Sequence, residues 1–255
     1  MKTEVIDEPM RDYLARKDYL SASDIKNMAT SPLLYHYCKE NEKEDTPSTT
    51  FGTMVHTAIL EPELFKASVV ERIEARANSA EYKKWHEKLP EGAMIVSKKD
   101  YHRLQHIARN FYDSGLGSLL DVDDAEIEKT VLYEDETGLH LRCRPDFMSK
   151  SKRMIVDLKT TSDLKWFASD ARKFGYPTSV AHYKTILSSH WGCQADEIEY
   201  VFAAVQTSEP YDCDWFLLKT ETETNAMKQW LATIENWPEL LLQRAGRIGE
   251  EPKLI

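Results

Sequence analysis

The chain is poor in cysteine, holds fewer basic than acidic residues, and has no long apolar run. No stretch of about 18 consecutive apolar residues occurs, so no membrane-spanning helix is expected. Met1 to Pro9 is charged and lacks the apolar centre of a signal peptide, which predicts a cytoplasmic protein. The four cysteines, at 38, 143, 193 and 213, form no Cys-x-x-Cys, so no iron-sulfur cluster is expected and reduced, mostly buried thiols are. With 33 basic against 43 acidic residues the formal net charge is −10, which opposes long-range attraction to a polyanion but leaves room for a local cationic groove. Neither an internal repeat nor a low-complexity tract breaks the 255 residues, so one domain around one core is the expectation. Its parts would be a helical segment over about 1–120, a sheet core over about 121–220, and a C-terminal helix and tail over 221–255.

What the chain does have is Arg144-Pro145-Asp146 followed closely by Ile155-Val156-Asp157-Leu158-Lys159-Thr160. Side chains on a strand alternate faces, so Ile155, Asp157 and Lys159 share one side while Met154, Val156 and Leu158 form the apolar other. A short hairpin that lays Asp146 beside them would bring two carboxylates and one ammonium to a point. Hard oxygen ligands of that kind suit Mg²⁺, with Mn²⁺ as a substitute. The plainer alternative is a surface ion pair between Asp157 and Lys159, worth little energetically.

Upstream, Phe51, Val55 and Ile59 fall on one stripe of a helix, and Gly52 and His56, four residues apart, share a face. Gly52 offers a place where another backbone could come close; His56 reads either as a site residue or as a core-edge histidine with a satisfied hydrogen bond. Residues 45–50 read as a polar connection into that helix. Ser21 with Asp24 reads as a capping box and Ser31-Pro32 as a second helix start. Helices are expected over Glu81 to Lys88, Lys98 to Ser114, from Ser162-Asp163 to near Gly175, and from Pro177 onward, with a turn at Pro90-Glu91-Gly92. Strands are expected over about 126–134, 139–147, 153–159, 197–206 and 213–219. A long helix over 221–245 would carry Trp230, Leu231, Ile234, Trp237 and Leu241 on or near one stripe, and the last ten residues read as loosely tied.

Taken in order, Gly-x-x-x-His, a glutamate, Pro-Asp, Asp-x-Lys and a tyrosine resemble the PD-(D/E)xK nuclease superfamily. The fit is best to its RecB-like branch and the exodeoxyribonuclease VIII (RecE-type) nuclease domain. The phrases Leu20-Ser21-Ala22-Ser23-Asp24, Phe51-Gly52-Thr53, His56-Thr57-Ala58, Leu60-Glu61-Pro62 and Asp157-Leu158-Lys159-Thr160-Thr161 add to the likeness, which spans roughly 18–220. It implies a restriction-endonuclease-like α/β fold, a mixed central sheet flanked by helices.

The resemblance also implies roles. Asp146 and Asp157, with the Leu158 carbonyl, would bind metal; His56 would add a ligand or touch the scissile strand, and Glu128 would be a further acidic ligand, its alternative being an exposed strand carboxylate. Lys159 would orient or activate water and steady the phosphate. Tyr183 would contact DNA, or simply pack on the sheet. The family's glutamine four residues before that tyrosine is Ser179 here, two heavy atoms too short to span the same gap. Candidate DNA contacts are Tyr183, Arg144, Arg142, Ser179 and Thr160, and further groove cations are Lys152, Lys165, Arg172 and Lys173. Some RecB-like enzymes hold an iron-sulfur cluster on one early and three clustered late cysteines; here Cys193 and Cys213 stand twenty apart.

The implied activity is a Mg²⁺-dependent DNA exonuclease, acting 5′ to 3′ on linear double-stranded ends and leaving 3′ single strands for recombination. A single-strand annealing protein would be its partner, a homo-oligomeric ring its assembly, and a bacterial or phage-infected cell its place. The alternatives are a structure-selective or restriction-type endonuclease on the same fold, and a DNA-binding or assembly protein with a vestigial site.

Overall fold

The computed structural model describes residues 1–41, 46–90 and 92–242. In chain order its strands are β1 (Lys2–Ile6), β2 (Val69–Glu71), β3 (Met94–Val96), β4 (Glu126–Ile127), β5 (Thr130–Glu134), β6 (His140–Cys143), β7 (Phe147–Ser149), β8 (Met154–Thr161), β9 (Glu199–Gln206) and β10 (Cys213–Phe216). The central sheet has the order β10-β9-β8-β7-β4, with β8 and β9 parallel and the other pairs antiparallel. The second sheet is β1-β5-β6, and β2 and β3 form a small parallel pair. This is the mixed sheet flanked by helices that the motifs implied.

Strand β8 is covered on both faces, as the middle strand of a layered α/β fold must be. Ile155 joins the cluster formed by Tyr200, Phe202, Val180, Leu187, Met28 and Trp230. Met154, Val156 and Leu158 join the other cluster, with Val55 and Ile59 of the Pro47–Leu60 helix and Leu104, Ile107 and Phe111 of the Lys98–Asp113 helix. The alternation expected for Ile155, Asp157 and Lys159 thus holds, but the side they share is roofed rather than solvated.

Several expected boundaries move, each for a local reason. The strand expected over 126–134 breaks at Glu128, whose φ of 53° lies in the left-handed region that a non-glycine residue enters at a cost of about 1–2 kcal/mol. The strand expected over 139–147 breaks at 144–146, around Pro145, whose missing N–H cannot serve a ladder. These two breaks let one run of sequence feed two sheets. The His56 helix begins at Pro47, inside the supposed connection, because Thr46 and Thr49 form a reciprocal cap and proline suits the first turn. The late helix is two, Thr220–Glu235 and Trp237–Leu242, divided at Asn236 because Pro238, two residues on, has no N–H to bond back to Ile234 and suits the first turn of a new helix. Trp230 and Trp237 are buried and Ile234 packs on the core, while Leu231 and Leu241 are exposed. Strand β1 and the Pro62–Ser68 helix were not expected. Residues 243–245 of the expected helix, the tail over 246–255, residue 45 and Glu91 lie outside the described residues. No helix among the described residues is long and apolar enough to cross a membrane.

His182 fastens the Tyr176–Trp191 helix to β6 of the three-stranded sheet and to the Thr220–Glu235 helix. Its Nε2 lies 2.9 Å from the Arg142 carbonyl, and the Trp230 indole donates to its Nδ1 at 3.2 Å, so the ring is neutral with its proton on Nε2. Burial pushes its pKa down to about 4. An unfolded chain therefore takes up this proton near pH 6.5 and the folded one only near pH 4, so stability is complete above about 6.5 and falls as pH drops through that window. The expected loss from this histidine is on the order of 3 kcal/mol. Urea unfolding at pH 7, 5.5 and 4.5 should show a smaller acid loss for His182→Gln than for the wild type; parallel losses would refute the assignment.

Candidate active site

The site forms where β7 and β8 diverge beyond their hairpin. Phe147 pairs with Val156 and Met148 with Ile155, so continuing the register by one residue sets Asp146 across from Asp157. Asp146 sits in the bend before β7, and its Oδ2 accepts the Leu158 backbone N–H at 2.7 Å. A residue's N–H and C=O leave the same edge of a strand, so the Leu158 carbonyl faces this side too, past the end of β7.

Two groups converge here. His56 Nδ1 lies 3.5 Å from Asp146 Oδ1, and one donor atom each from His56, Glu128 and Asp146 fall within 4.8 Å of one another. Glu128 reaches this place because its left-handed backbone turns the chain between β4 and β5 and its N–H bonds the Asp146 carbonyl at 3.2 Å. Beside them, Lys159 Nζ meets Asp157 Oδ1 at 2.5 Å, and the buried Tyr200 hydroxyl donates to Asp157 Oδ2 at 3.0 Å. Lys159 also stands 5.4 Å over the ring of Tyr176.

The titrations follow from that crowding. Burial pushes the Asp157 carboxyl up and the Asp146 charge adds to it, with Lys159 pulling the other way. Burial and the Asp146 charge likewise raise Glu128, against the pull of Arg144. Burial would raise Asp146 as well, but His56, Lys159 and the Leu158 N–H outweigh it and bring it down to about 2. For His56 the burial penalty is overcome by Asp146, and the net shift is upward; for Lys159 burial is overcome by Asp157 and Asp146, so its ammonium is held charged. Three carboxylates repelling one another in a desolvated pocket with an imidazole beside them are the donor set of a hard divalent cation. The residues fit Mg²⁺ or Mn²⁺. His56, Glu128 and Asp146 would hold it, with the Leu158 carbonyl in reach of the same edge. Asp157 is committed on both oxygens, to Lys159 and Tyr200, and would have to exchange one of them to share the ion.

The other sequence-derived residues are placed as follows. Arg144 is half-buried in an ion pair with Glu128 at 2.9 Å and also donates to the Glu8 carbonyl, so it orients Glu128 instead of lining a DNA groove. Arg142 is likewise no groove residue: it is buried, stacked 4.5 Å from the Tyr13 ring and donating to the Tyr13 carbonyl. Tyr183 packs on Tyr200, and its hydroxyl reaches the Arg144 carbonyl at 3.4 Å, which is the packing alternative. Ser179 is half-buried one helical turn earlier. Thr160 is half-buried beneath Gly52, where an added Cβ would lie 3.5 Å from its Oγ1, so the helix does pass close to β8 but would tolerate alanine. Lys165 pairs with Asp163, whereas Lys152, Arg172 and Lys173 are exposed. All four cysteines are free thiols, and Cys143 is buried. The motif reading missed Tyr200 and Tyr176. The signal for Tyr200 lay in the β8–β9 pairing, which sets Ile155 opposite Tyr200 and Asp157 opposite Phe202, and a parallel register has no mark in the sequence; Tyr176 comes from the start of the Tyr176–Trp191 helix and had no motif of its own.

The family described as a PDDEXK-like domain of unknown function (DUF3799) matches the chain over residues 21–244. Among solved structures, a candidate exonuclease from Eubacterium rectale superposes with a TM-score of 0.64 at 16% identity, covering 98% of this chain and 97% of that one. A phage-related exonuclease from Haemophilus somnus 129PT aligns over 88% of this chain and 95% of its own at 13% identity, with a TM-score of 0.35, too low to speak for a shared fold. No curated protein sequence matches the chain.

If the donor set is a cation site, Mg²⁺ or Mn²⁺ at a hundredfold excess over its Kd should stabilise the protein by about 3 kcal/mol. For a chain of this length that is a rise of about 5–10 °C in melting temperature. Asp146→Asn and Glu128→Gln should each lose most of that metal-dependent rise in a thermal-shift titration. A rise that survives in both variants would place the ion elsewhere.

Proposed function

This chain belongs to the PDDEXK-like DUF3799 family, within the PD-(D/E)xK nuclease superfamily, and from that membership and the site's geometry we propose that it is a metal-dependent deoxyribonuclease acting on DNA ends. The observation that carries the reading is the convergence of His56, Glu128 and Asp146 beside the Asp157–Lys159 pair.

Phosphodiester hydrolysis needs an in-line nucleophile, neutralisation of charge growing on the non-bridging oxygens, and a stabilised leaving alkoxide. A divalent cation in this donor set would acidify the attacking water and offset phosphate charge. The chain's own residues do the rest. Because its neighbours hold Lys159 protonated, it acts as a fixed ammonium that grips the scissile phosphate or the hydroxide, not as a base that removes a proton. Asp157 aims that ammonium, and Tyr200 in turn fixes Asp157 from the buried side. Arg144 keeps the Glu128 carboxylate turned toward Asp146, and the Leu158 N–H fixes the second oxygen of Asp146 so that the first stays directed at His56.

The finer terms of the proposal, an exonuclease that is Mg²⁺-dependent, runs 5′ to 3′ on linear duplex ends and hands 3′ single strands to an annealing partner from within a ring of copies, are supported by the likeness to exodeoxyribonuclease VIII. The structural likeness to a candidate exonuclease along nearly the whole chain agrees with an end-directed enzyme. The test is digestion of end-labelled linear duplex against covalently closed circular DNA, with Mg²⁺ and with EDTA. Loss of label from linear DNA only, abolished by EDTA, is the expected result; cutting of the closed circle would make it an endonuclease. Lys159→Ala and Asp157→Ala should each lower the rate by at least about a hundredfold while melting cooperatively. Wild-type-like digestion by either purified variant would refute the mechanism.

A further inference from the structure

The cation–aromatic contact at Lys159 does not end at the site. Tyr176, beneath the Lys159 ammonium, has its ring 6.1 Å from that of Phe174, and Phe174 is 48% exposed. Lys173 Nζ lies 5.4 Å from the Phe174 ring. At the other end of the same short helix, Phe167–Lys173, Trp166 is 58% exposed with Lys165 Nζ 5.6 Å from its ring, and Lys165 is shared with an exposed ion pair to Asp163 at 2.7 Å, which a phosphate would have to displace. That helix buries Phe167 and Ala171 against the core and leaves the two aromatic residues flanking it turned outward, each with a cation beside it.

The backbone that carries Phe174 is held in place. The Phe174 N–H bonds the Asp170 carbonyl at 2.8 Å, its own carbonyl accepts from Lys26 Nζ at 3.1 Å, and Gly175 follows at a φ of 68°, which lets the chain reverse into the next helix. Lys26 packs over Gly175 so closely that a Cβ there would lie 2.6 Å from its Cδ. A large aromatic ring left half in solvent forgoes about half of the stabilisation its burial would bring, since that part of its apolar surface stays wet. An exposed aromatic with a cation at its side matches one ligand chemistry well: an unpaired nucleotide, whose base stacks on the ring while its phosphate meets the ammonium.

Resting on the nuclease reading for the identity of the strand, we propose that Phe174 and Trp166, with Lys173 and Lys165, form a stacking platform for unpaired bases of the DNA strand that enters or leaves the site at Lys159. Tyr176 links platform and site. The platform would hold a frayed or single-stranded segment in register with the scissile phosphate, so that the strand is gripped on both sides of each cleavage.

The test is fluorescence anisotropy of a labelled oligothymidylate of about 20 residues with wild-type protein in EDTA, where binding is read without cleavage. Stacking of one base corresponds to roughly a 5- to 150-fold change in affinity. Phe174→Ala should raise Kd about tenfold, the Phe174→Ala/Trp166→Ala pair further, and Phe174→Tyr should keep near-wild-type affinity. Lys173→Glu should also weaken binding, and more so at low salt. Coincident binding curves for wild type and the double variant would overturn the proposal. So would self-association of the wild type that the double variant abolishes while oligothymidylate binding stays the same, because the face would then join two copies of the chain. Absence of DNA hydrolysis by the wild type is a separate result, read in the digestion assay.

Discussion

The arrangement depends on keeping Asp146, Asp157 and Glu128 together where water is largely excluded. Like charges in such a place repel strongly, and each must be met by a partner or by a proton. The fold supplies partners from separate directions: His56 from a helix on one face of the sheet, Lys159 from the same strand as Asp157, Arg144 from the connection between two sheets, and Tyr200 from the neighbouring parallel strand. The imbalance that remains, with Asp157 and Glu128 still pushed upward, is what a divalent cation would relieve.

This constraint explains irregularities that would otherwise be faults. The strained backbone at Glu128 and the interruption of the chain at 144–146 both cost regular pairing. Together they let a single stretch leave one sheet, pass through the site and enter another, and they place Glu128 and Asp146 shoulder to shoulder through a backbone hydrogen bond. Strain confined to one place, with regular ladders on either side, is the distribution that enzymes commonly show at their sites.

Much of this was legible in the residues. The alternation over 154–159 placed Asp157 and Lys159 together, the Gly52–His56 spacing set the histidine toward β8, and the cap at Ser21–Asp24 marked its helix correctly. Other features lacked a local sign. Arg142 and Arg144 look like groove cations in sequence because charge alone does not reveal that Tyr13 and Glu128 engage them. Tyr200 lies far along the chain from the Asp157 carboxylate it supports and comes near only through the parallel pairing of β8 with β9, while Tyr176 reaches the Lys159 ammonium from a separate helix. Strand β1 hides among charged residues, since it pairs at the edge of a small sheet and needs little apolar character on its outer side.

The parallel pairing of β8 and β9 also bears on how the protein is made. A chain leaving the ribosome presents Asp146, Asp157 and Lys159 well before Tyr200 exists, and before Trp230 can reach His182 behind the Arg142 carbonyl. Domains complete themselves only as their later segments emerge. The nascent polypeptide therefore carries these charged side chains before the strand and helix that hold them in order, and their arrangement closes only once Tyr200 and Trp230 have emerged.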